Sequence, residues 1–362
     1  MPVVSIYSQS LLRNRHLHIA RDSELLQTIY RRVEEELVID FKVFFIINVL
    51  KFALYFSLVV IFYSLLYVVQ NPALFICTYI AFGFFTLLLA FNFSHDCSHN
   101  TLFKSKKANN FCFIALYTLV GAHGEAWKQR HVQSHHYAPN VKGYDSDLKI
   151  SKLIRIIPGS PWLWCHKFQH VYAPIAYTTY SLFWILVKDF YLLYSIDDYN
   201  QVKNPSYHLS FWLQKSFYFG AIFVLPMLYG QQAWGIVLLG FLLMHLSQSL
   251  FLLLTFFMTH HVEGTLYPVT SEDGTISTSW VMNQIKSSND MHPFSKTANF
   301  ILGGFNNHIA HHLFPHIHHT YYPQLSQILY SVLEEHNIQP NQTSYLGGIL
   351  SHFKLLKRMS KP

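Results

Sequence analysis

The chain has 362 residues, of which 51% are hydrophobic, 17% aromatic and only 12% charged. Soluble domains carry about 25% charged residues, so roughly half of the usual charge is missing, and lipid is implied as part of the solvent. The net charge of +7 does not argue for nucleic acid, because the basic residues fall between long apolar runs instead of along one exposed face.

In chain order, Phe52 to Val69 is 18 residues without a charge and Ala73 to Phe93 is 21. A helix rising 1.5 Å per residue needs about 20 apolar residues to cross roughly 30 Å of hydrocarbon. Both runs are therefore read as spans, joined at Gln70-Asn71-Pro72. Phe111 to Val120 is too short to cross. Val171 to Val187, closed by Lys188 and Asp189, is borderline, and both are expected as helices that lie in the membrane interface or re-enter it. A second hairpin follows, Phe211 to Tyr229 and Ala233 to Met258, turning at Gly230-Gln231-Gln232. Lys215, near one end of it, is expected to snorkel to the headgroups.

Charge placement gives the expected orientation. Residues 1–51 carry seven Lys or Arg, 94–210 twelve and 259–362 six, while the two hairpin turns carry none. The positive-inside rule then puts both termini and the long middle loop in the cytoplasm. The expected fold is all-α and integral to the membrane, with four transmembrane helices in two hairpins, interfacial helices and a cytoplasmic histidine-rich cap. It divides into a cytoplasmic segment 1–51, a membrane domain 52–330 and a cytoplasmic tail 331–362. No signal peptide is expected. Cys77, Cys97, Cys112 and Cys165 share no C-x-x-C spacing and are expected as free thiols.

Histidine is the unusual residue, with 23 copies. Three dense motifs stand out: His95-Asp96-Cys97-Ser98-His99, then His131-Val132-Gln133-Ser134-His135-His136, and His308-Ile309-Ala310-His311-His312. On a helix, residues three or four apart share a face, so each motif can aim its rings at one centre. The Gly303-Gly304 pair offers a break before the third helix. About 0.1 occurrences of one defined three-histidine spacing are expected by chance in this composition. Two such triplets plus an H-x-x-x-H pair point to metal. Eight imidazoles exceed what one zinc takes, and no H-E-x-x-H is present. Ligand count favours a dimetal site, open between iron and other imidazole-binding metals. Asp96 is a candidate to hold a ligand ring through its second N–H.

With HDCSH, HVQSHH and HIAHH placed, the chain resembles the membrane fatty acid desaturase family over about residues 70–330. His311-His312-Leu313-Phe314-Pro315, Tyr322-Pro323, His166 to His170, Asp145-Ser146-Asp147 and Trp280 to Gln284 resemble its bacterial and front-end, linoleoyl-CoA desaturase-like branch. Front-end members commonly have glutamine where this chain has His308, which leaves the regiochemistry open. No HPGG haem motif of a fused cytochrome b5 domain occurs. The resemblance implies two iron ions with O2 as co-substrate, an acyl-CoA or acyl-lipid substrate, and a separate electron donor of ferredoxin or cytochrome b5 type. It implies a bacterial inner membrane, or the endoplasmic reticulum of a eukaryote. It also implies a ninth ligand after the fourth span, where His260 fits better than His261. The expected ligands are thus His95, His99, His131, His135, His136, His260, His308, His311 and His312, with Gln284 beside Asp96 as a supporting residue. No further side-chain acid, base or nucleophile is expected.

Milder readings attach to the other histidines. His166 and His170 are expected beside the site or at headgroups, with direct ligation the lesser alternative, His245 in helix packing, and His316, His318 and His319 in a solvated or phosphate-facing cluster. A hydroxylase or ketolase acting on a lipid or carotenoid would share the scaffold, and a non-catalytic membrane metal-binding protein is the alternative of another class.

Overall fold

A computed structural model describes residues 14–148, 152–194 and 204–362. The first thirteen residues of the expected N-terminal segment lie outside this range. The regular structure of the described residues is helical apart from one two-residue parallel pairing, β1 (Asp290–Met291) with β2 (Gln342–Thr343), and isolated bridges of Ile276 to His16 and Thr270. Its helices are α1 (Ala20–Glu36), α2 (Phe41–Leu65), α3 (Pro72–Ser98), α4 (Lys106–Leu119), α5 (Gly124–Gln133) and α6 (Gln169–Tyr177). After these come α7 (residues 180–194), α8 (Pro205–Tyr229), α9 (Trp234–His260), α10 (Trp280–Lys286), α11 (Lys296–Leu302), α12 (His308–Leu313), α13 (Tyr322–Glu335) and α14 (Tyr345–Arg358).

Among the described residues, four helices are long and apolar enough to cross a membrane: α2, α3, α8 and α9. Their bounds differ from the charge-free windows, because a helix starts at a cap and not at the last charge. Asp40 accepts from the N–H groups of Lys42 and Val43, so α2 begins eleven residues before the run 52–69 and includes Lys42 and Lys51. Asn71 caps α3, accepting from Leu74 N at 3.0 Å, with Pro72 in the first turn. Asn204 caps α8, accepting from Tyr207 N at 2.9 Å. A proline after a capping asparagine sets φ for the helix and removes a donor that would have no partner.

The chain divides into two compact units. The first contains Asp40–Trp127 and Ile175–Leu253. Within it, Gln232 of one hairpin turn donates to the carbonyls of Val69 (2.9 Å) and Gln70 (2.6 Å) in the other, so both turns lie at the same end. Two helices contain π segments, at residues 184–188 and 220–224. Such bulges release carbonyls that lipid cannot satisfy. Tyr63 and Tyr79 donate to the carbonyls of Ala221 and Ile222, and Lys215 donates to that of Ile185.

Lys215 therefore does not snorkel. Its Nζ is buried, 2.7 Å from Asp189 Oδ2, 2.7 Å from Gly121 O and 3.0 Å from Ile185 O. Asp189 also accepts from His123 N and Trp184 Nε1. The carboxylate offers a desolvated ammonium more than the headgroups do, and it lies 26 residues away in sequence, beyond the reach of a local reading. His245 sits between Ser181 Oγ and Tyr218 OH, each 2.9 Å from one ring nitrogen, which makes it a packing histidine. The four cysteines are free thiols.

The second unit contains residues 14–39, Lys128–Pro174 and Leu254–Pro362. Its main apolar core joins Leu25, Ile29 and Val33 of α1 to Ile309 and Leu313 of α12 and to Leu325, Leu329 and Val332 of α13. The segment 331–362 is built into this unit instead of trailing from it. β2 pairs with β1, and α14 bonds the end of α9 through His352 Nδ1 to His261 O at 2.6 Å. Arg358 pairs with Glu263 at 2.9 Å.

Candidate metal centre

A short turn over residues 303–307 separates the end of α11 from the third histidine motif. Gly303 and Gly304 both have positive φ, 58° and 86°. At Gly304 an added Cβ would stand 2.5 Å from His319 Cβ and 2.9 Å from the Tyr322 ring, so only glycine fits this turn. Asn307 then starts α12, and Asp290 Oδ1 accepts from Ile309 N at 2.9 Å in its first turn. Burial pushes the Asp290 carboxyl up to about 7 although Ile309 N–H and Tyr330 OH both donate to it.

The second motif is not one continuous helix. α5 ends at Gln133 and His135–Tyr137 forms a 3₁₀ turn. Ser134 breaks the helix: its Oγ donates to Tyr144 O at 2.6 Å and accepts from Ser146 N at 2.8 Å. The rings of His131 and His135 still stack, with centroids 5.2 Å apart.

Four nitrogens converge in the second unit. His260 Nε2 lies 2.7 Å from His308 Nε2, 3.0 Å from His135 Nε2 and 3.2 Å from His312 Nε2. His308 and His312 are 3.2 Å apart. The other ring nitrogens of three of them face oxygen: His135 Nδ1 meets Asp145 Oδ2 (3.0 Å), His260 Nδ1 meets Ser287 O (2.8 Å), and His312 Nδ1 meets Gln284 Oε1 (2.9 Å). Those oxygens only accept, so each Nδ1 carries the proton and each neutral ring aims an Nε2 lone pair inward. Several buried lone pairs at this separation repel unless a cation lies among them. Two imidazoles on one metal, each bonded at about 2.1 Å, would have nitrogens about 3.0–3.4 Å apart. The donor set fits a metal ion.

Electrostatics separate two of these rings. Burial, together with the neighbouring imidazoles, holds His312 well below the usual histidine range and so keeps it neutral. For His135 burial pulls the same way, but the Asp145 and Asp147 carboxylates outweigh it and raise the pKa, drawing positive charge to this ring.

A second group lies in the same unit. His136 Nε2 is 3.2 Å from His131 Nε2, and the His136 and His311 ring centroids are 4.5 Å apart. His131 and His311 offer nitrogens within 4.8 Å of each other. Asp147 Oδ2 stands 3.5 Å from His131 Nδ1, and Tyr322 OH 3.2 Å from His311 Nδ1. His95 and His99 belong to the first unit, where α3 ends. Their rings are 5.1 Å apart, and His95 also faces Trp127. Asp96 Oδ1 accepts from Thr101 Oγ1 at 3.3 Å.

His261 turns elsewhere: its Nδ1 meets Tyr267 OH at 2.9 Å, and burial lowers its pKa to about 3. His166 bridges Leu163 N and Lys152 O, each at 2.9 Å, which gives it a structural task. His318 and His319 are buried and stacked, with centroids 4.5 Å apart, instead of solvated. His319 O accepts from Asn299, and His318 Nδ1 accepts from Thr320 N. Residues that spacing alone did not single out also shape the centre: the Ser287 carbonyl, Asp290, and Asp145 as the partner of His135. Only the D-x-D pattern at 145–147 hinted at one of them.

The fatty acid desaturase family model matches residues 70–344. The chain is 30% identical over 285 residues to the acyl-lipid (8-3)-desaturase of Physcomitrium patens, covering 76% of this chain and 58% of that protein. It is 27% identical over 289 residues to the sn-1 linoleoyl-lipid 6-desaturase of Arthrospira platensis, covering 78% and 77%. A similar likeness, 28% over 298 residues, links it to the acyl-lipid (8-3)-desaturase of Mortierella alpina, with coverage of 80% and 66%. The match runs through all three histidine motifs and the converging imidazoles, and on that evidence the chain belongs to the fatty acid desaturase family.

Proposed function

We propose that this chain is a membrane-bound acyl desaturase that introduces a C=C double bond into an acyl chain carried on CoA or on a lipid. The observation that carries the reading is the convergence of four buried imidazoles, three of them with Nδ1 against an oxygen acceptor, in a member of this family. Overall, a –CH2–CH2– unit and O2, with two electrons and two protons, become –CH=CH– and two waters. A centre of two irons would supply the oxidising power to take hydrogen from unactivated methylenes, chemistry that no side-chain acid or base can perform.

His135, His260, His308 and His312 would hold one iron. His131, His136 and His311 would hold the other, joined by His95 and His99 on the strength of the HDCSH motif. Asp145, Ser287 O and Gln284 keep the protons on Nδ1, so that Nε2 stays a ligand. Burial of these rings keeps bulk water away. Electrons would come from a separate ferredoxin or cytochrome b5 type protein. Both termini and the histidine motifs would face the cytoplasm, from a bacterial inner membrane or the endoplasmic reticulum.

The test is gas chromatography–mass spectrometry of fatty acids from a host expressing the chain, beside a His135→Ala control matched for membrane expression. A new unsaturated acid made only by the unaltered protein supports the proposal. A hydroxylated product would move the reading to a hydroxylase on the same scaffold. Bound metal with no product, when substrate and donor are supplied, would favour a non-catalytic metal-binding protein.

A further inference from the structure

Asn140 is buried and lies in the left-handed region, with φ of 61°. Asparagine tolerates that conformation better than other side-chain-bearing residues, which accounts for its backbone. Its contacts account for more. The backbone N–H donates to Asp145 Oδ2 at 2.9 Å, the same oxygen that accepts from His135 Nδ1. The amide Nδ2 stands 3.1 Å from His260 O, 3.1 Å from Leu266 O and 3.2 Å from Ser287 O. Ser287 O is also the acceptor for His260 Nδ1. One residue thus grips both oxygens that set the tautomers of His135 and His260, and it touches none of the hydrogen-bonding atoms of His131, His136 or His311.

We propose that Asn140 is a positioning residue for one metal only, holding Nε2 of His135 and His260 toward a common ion through Asp145 and the Ser287 carbonyl. The inference rests on the two-iron reading above. Three features of asparagine are used together: the left-handed backbone, the N–H that donates to Asp145, and an amide that donates to several carbonyls. Glycine supplies the first two without the third. Aspartate tolerates the same backbone but turns an acceptor-only oxygen toward those carbonyls and adds charge beside Asp145.

The test uses the full-length protein in detergent, as wild type, Asn140→Gly, Asn140→Asp and Asn337→Gly. Asn337 is an exposed asparagine with φ of 58° and controls for the backbone change. Ferrous iron is loaded without oxygen and counted per chain after desalting, and affinity is read by chelator competition. Wild type and Asn337→Gly should hold two equivalents. Asn140→Gly should keep one and lose the other, with affinity at the lost site down at least tenfold and the melting temperature of metal-free protein close to wild type. Asn140→Asp should lose at least as much. Retention of both equivalents at unchanged affinity by Asn140→Gly overturns the proposal, and loss of both overturns its selectivity for one ion.

Nitrogen NMR of histidine-labelled, metal-free protein reads the same inference without iron. His260 should carry its proton on Nδ1 in wild type and shift toward Nε2 in Asn140→Gly. An unchanged His260 spectrum overturns the proposal. Should wild type hold no iron, the two-iron reading falls, and this spectrum alone decides the role of Asn140.

Discussion

Replacing Asp145 by asparagine changes one oxygen to a nitrogen at a position with three hydrogen bonds. In the native chain Oδ2 accepts from His135 Nδ1 and Asn140 N, and Oδ1 accepts from Asp147 N at 2.9 Å. An asparagine can still accept on one side. It cannot supply the negative charge, and a flipped amide would donate toward His135, moving the ring proton to Nε2 where the metal should be. A hydrogen bond to a charged group contributes about 1.5–3 kcal/mol. Loss of a hydrogen-bond partner behind a metal-bound histidine typically costs about 10–100-fold in affinity. At about 1.4 kcal/mol per decade that is about 1.4–2.8 kcal/mol, so the two estimates agree. Asp147 gives the internal comparison, because its carboxylate is 32% exposed and 3.5 Å from His131 Nδ1. Solvent screening limits such a pair to about 0–1 kcal/mol, less than about sixfold. The assay is chelator competition with ferrous or cobaltous ion, following cobalt absorption. Unchanged affinity in Asp145→Asn, or a larger loss in Asp147→Asn, would refute the assignment of the His135 proton to Nδ1.

Other perturbations probe the scaffold. Gly304→Ala puts a methyl 2.5 Å from His319 Cβ at a positive φ, so it should lower the melting temperature and release metal together; a variant with native melting and full occupancy would contradict the close packing of that turn. Lys215→Met leaves the Asp189 carboxylate buried without its cation, a change that costs about 3–5 kcal/mol in comparable pairs. Melting in detergent should fall clearly, and Lys215→Met with Asp189→Leu should recover part of the loss; no recovery would mean that the pair is not the source. Burial pushes the Glu125 carboxyl upward, but His123, Ser210 and Gln214 outweigh it and depress the pKa. Its stabilisation is then complete above the ordinary carboxylate range and fades as pH falls through the depressed value. The melting difference between wild type and Glu125→Gln should accordingly shrink on going from pH 6 to pH 3, and a difference that grows would reverse the sign. Removing metal with a strong chelator should lower the melting temperature, because the converging lone pairs lose the cation that offsets their repulsion.

Hydropathy carried the gross architecture, because four long apolar runs have no other stable use in a chain with so little charge. The histidine spacing was visible for the same local reason: residues 308 and 312 lie one helical turn apart, whatever the rest of the chain does. What spacing cannot express is which nitrogen of a ring holds the proton. That depends on Ser287 O, a carbonyl with no side-chain signature, and on Asp145, whose partnership with His135 requires the turn at Ser134. Lys215 was misread because its partner lies 26 residues away, on a helix whose π segment frees the carbonyl it also needs. The polarity of His318 and His319 suggests solvent, yet both are buried, and His319 packs its Cβ against Gly304, where any side chain would collide with it.

The Lys215–Asp189 pair has an electrical consequence. A single elementary charge held within the bilayer feels about 2.3 kcal/mol for each 100 mV across it. Here the ammonium and the carboxylate are 2.7 Å apart and cancel, so α8 carries a lysine yet presents no net charge at that position for the membrane potential to pull. The helix can keep a cation to bind the carbonyl freed by its neighbour's bulge, and its position should be indifferent to whether the membrane is energised.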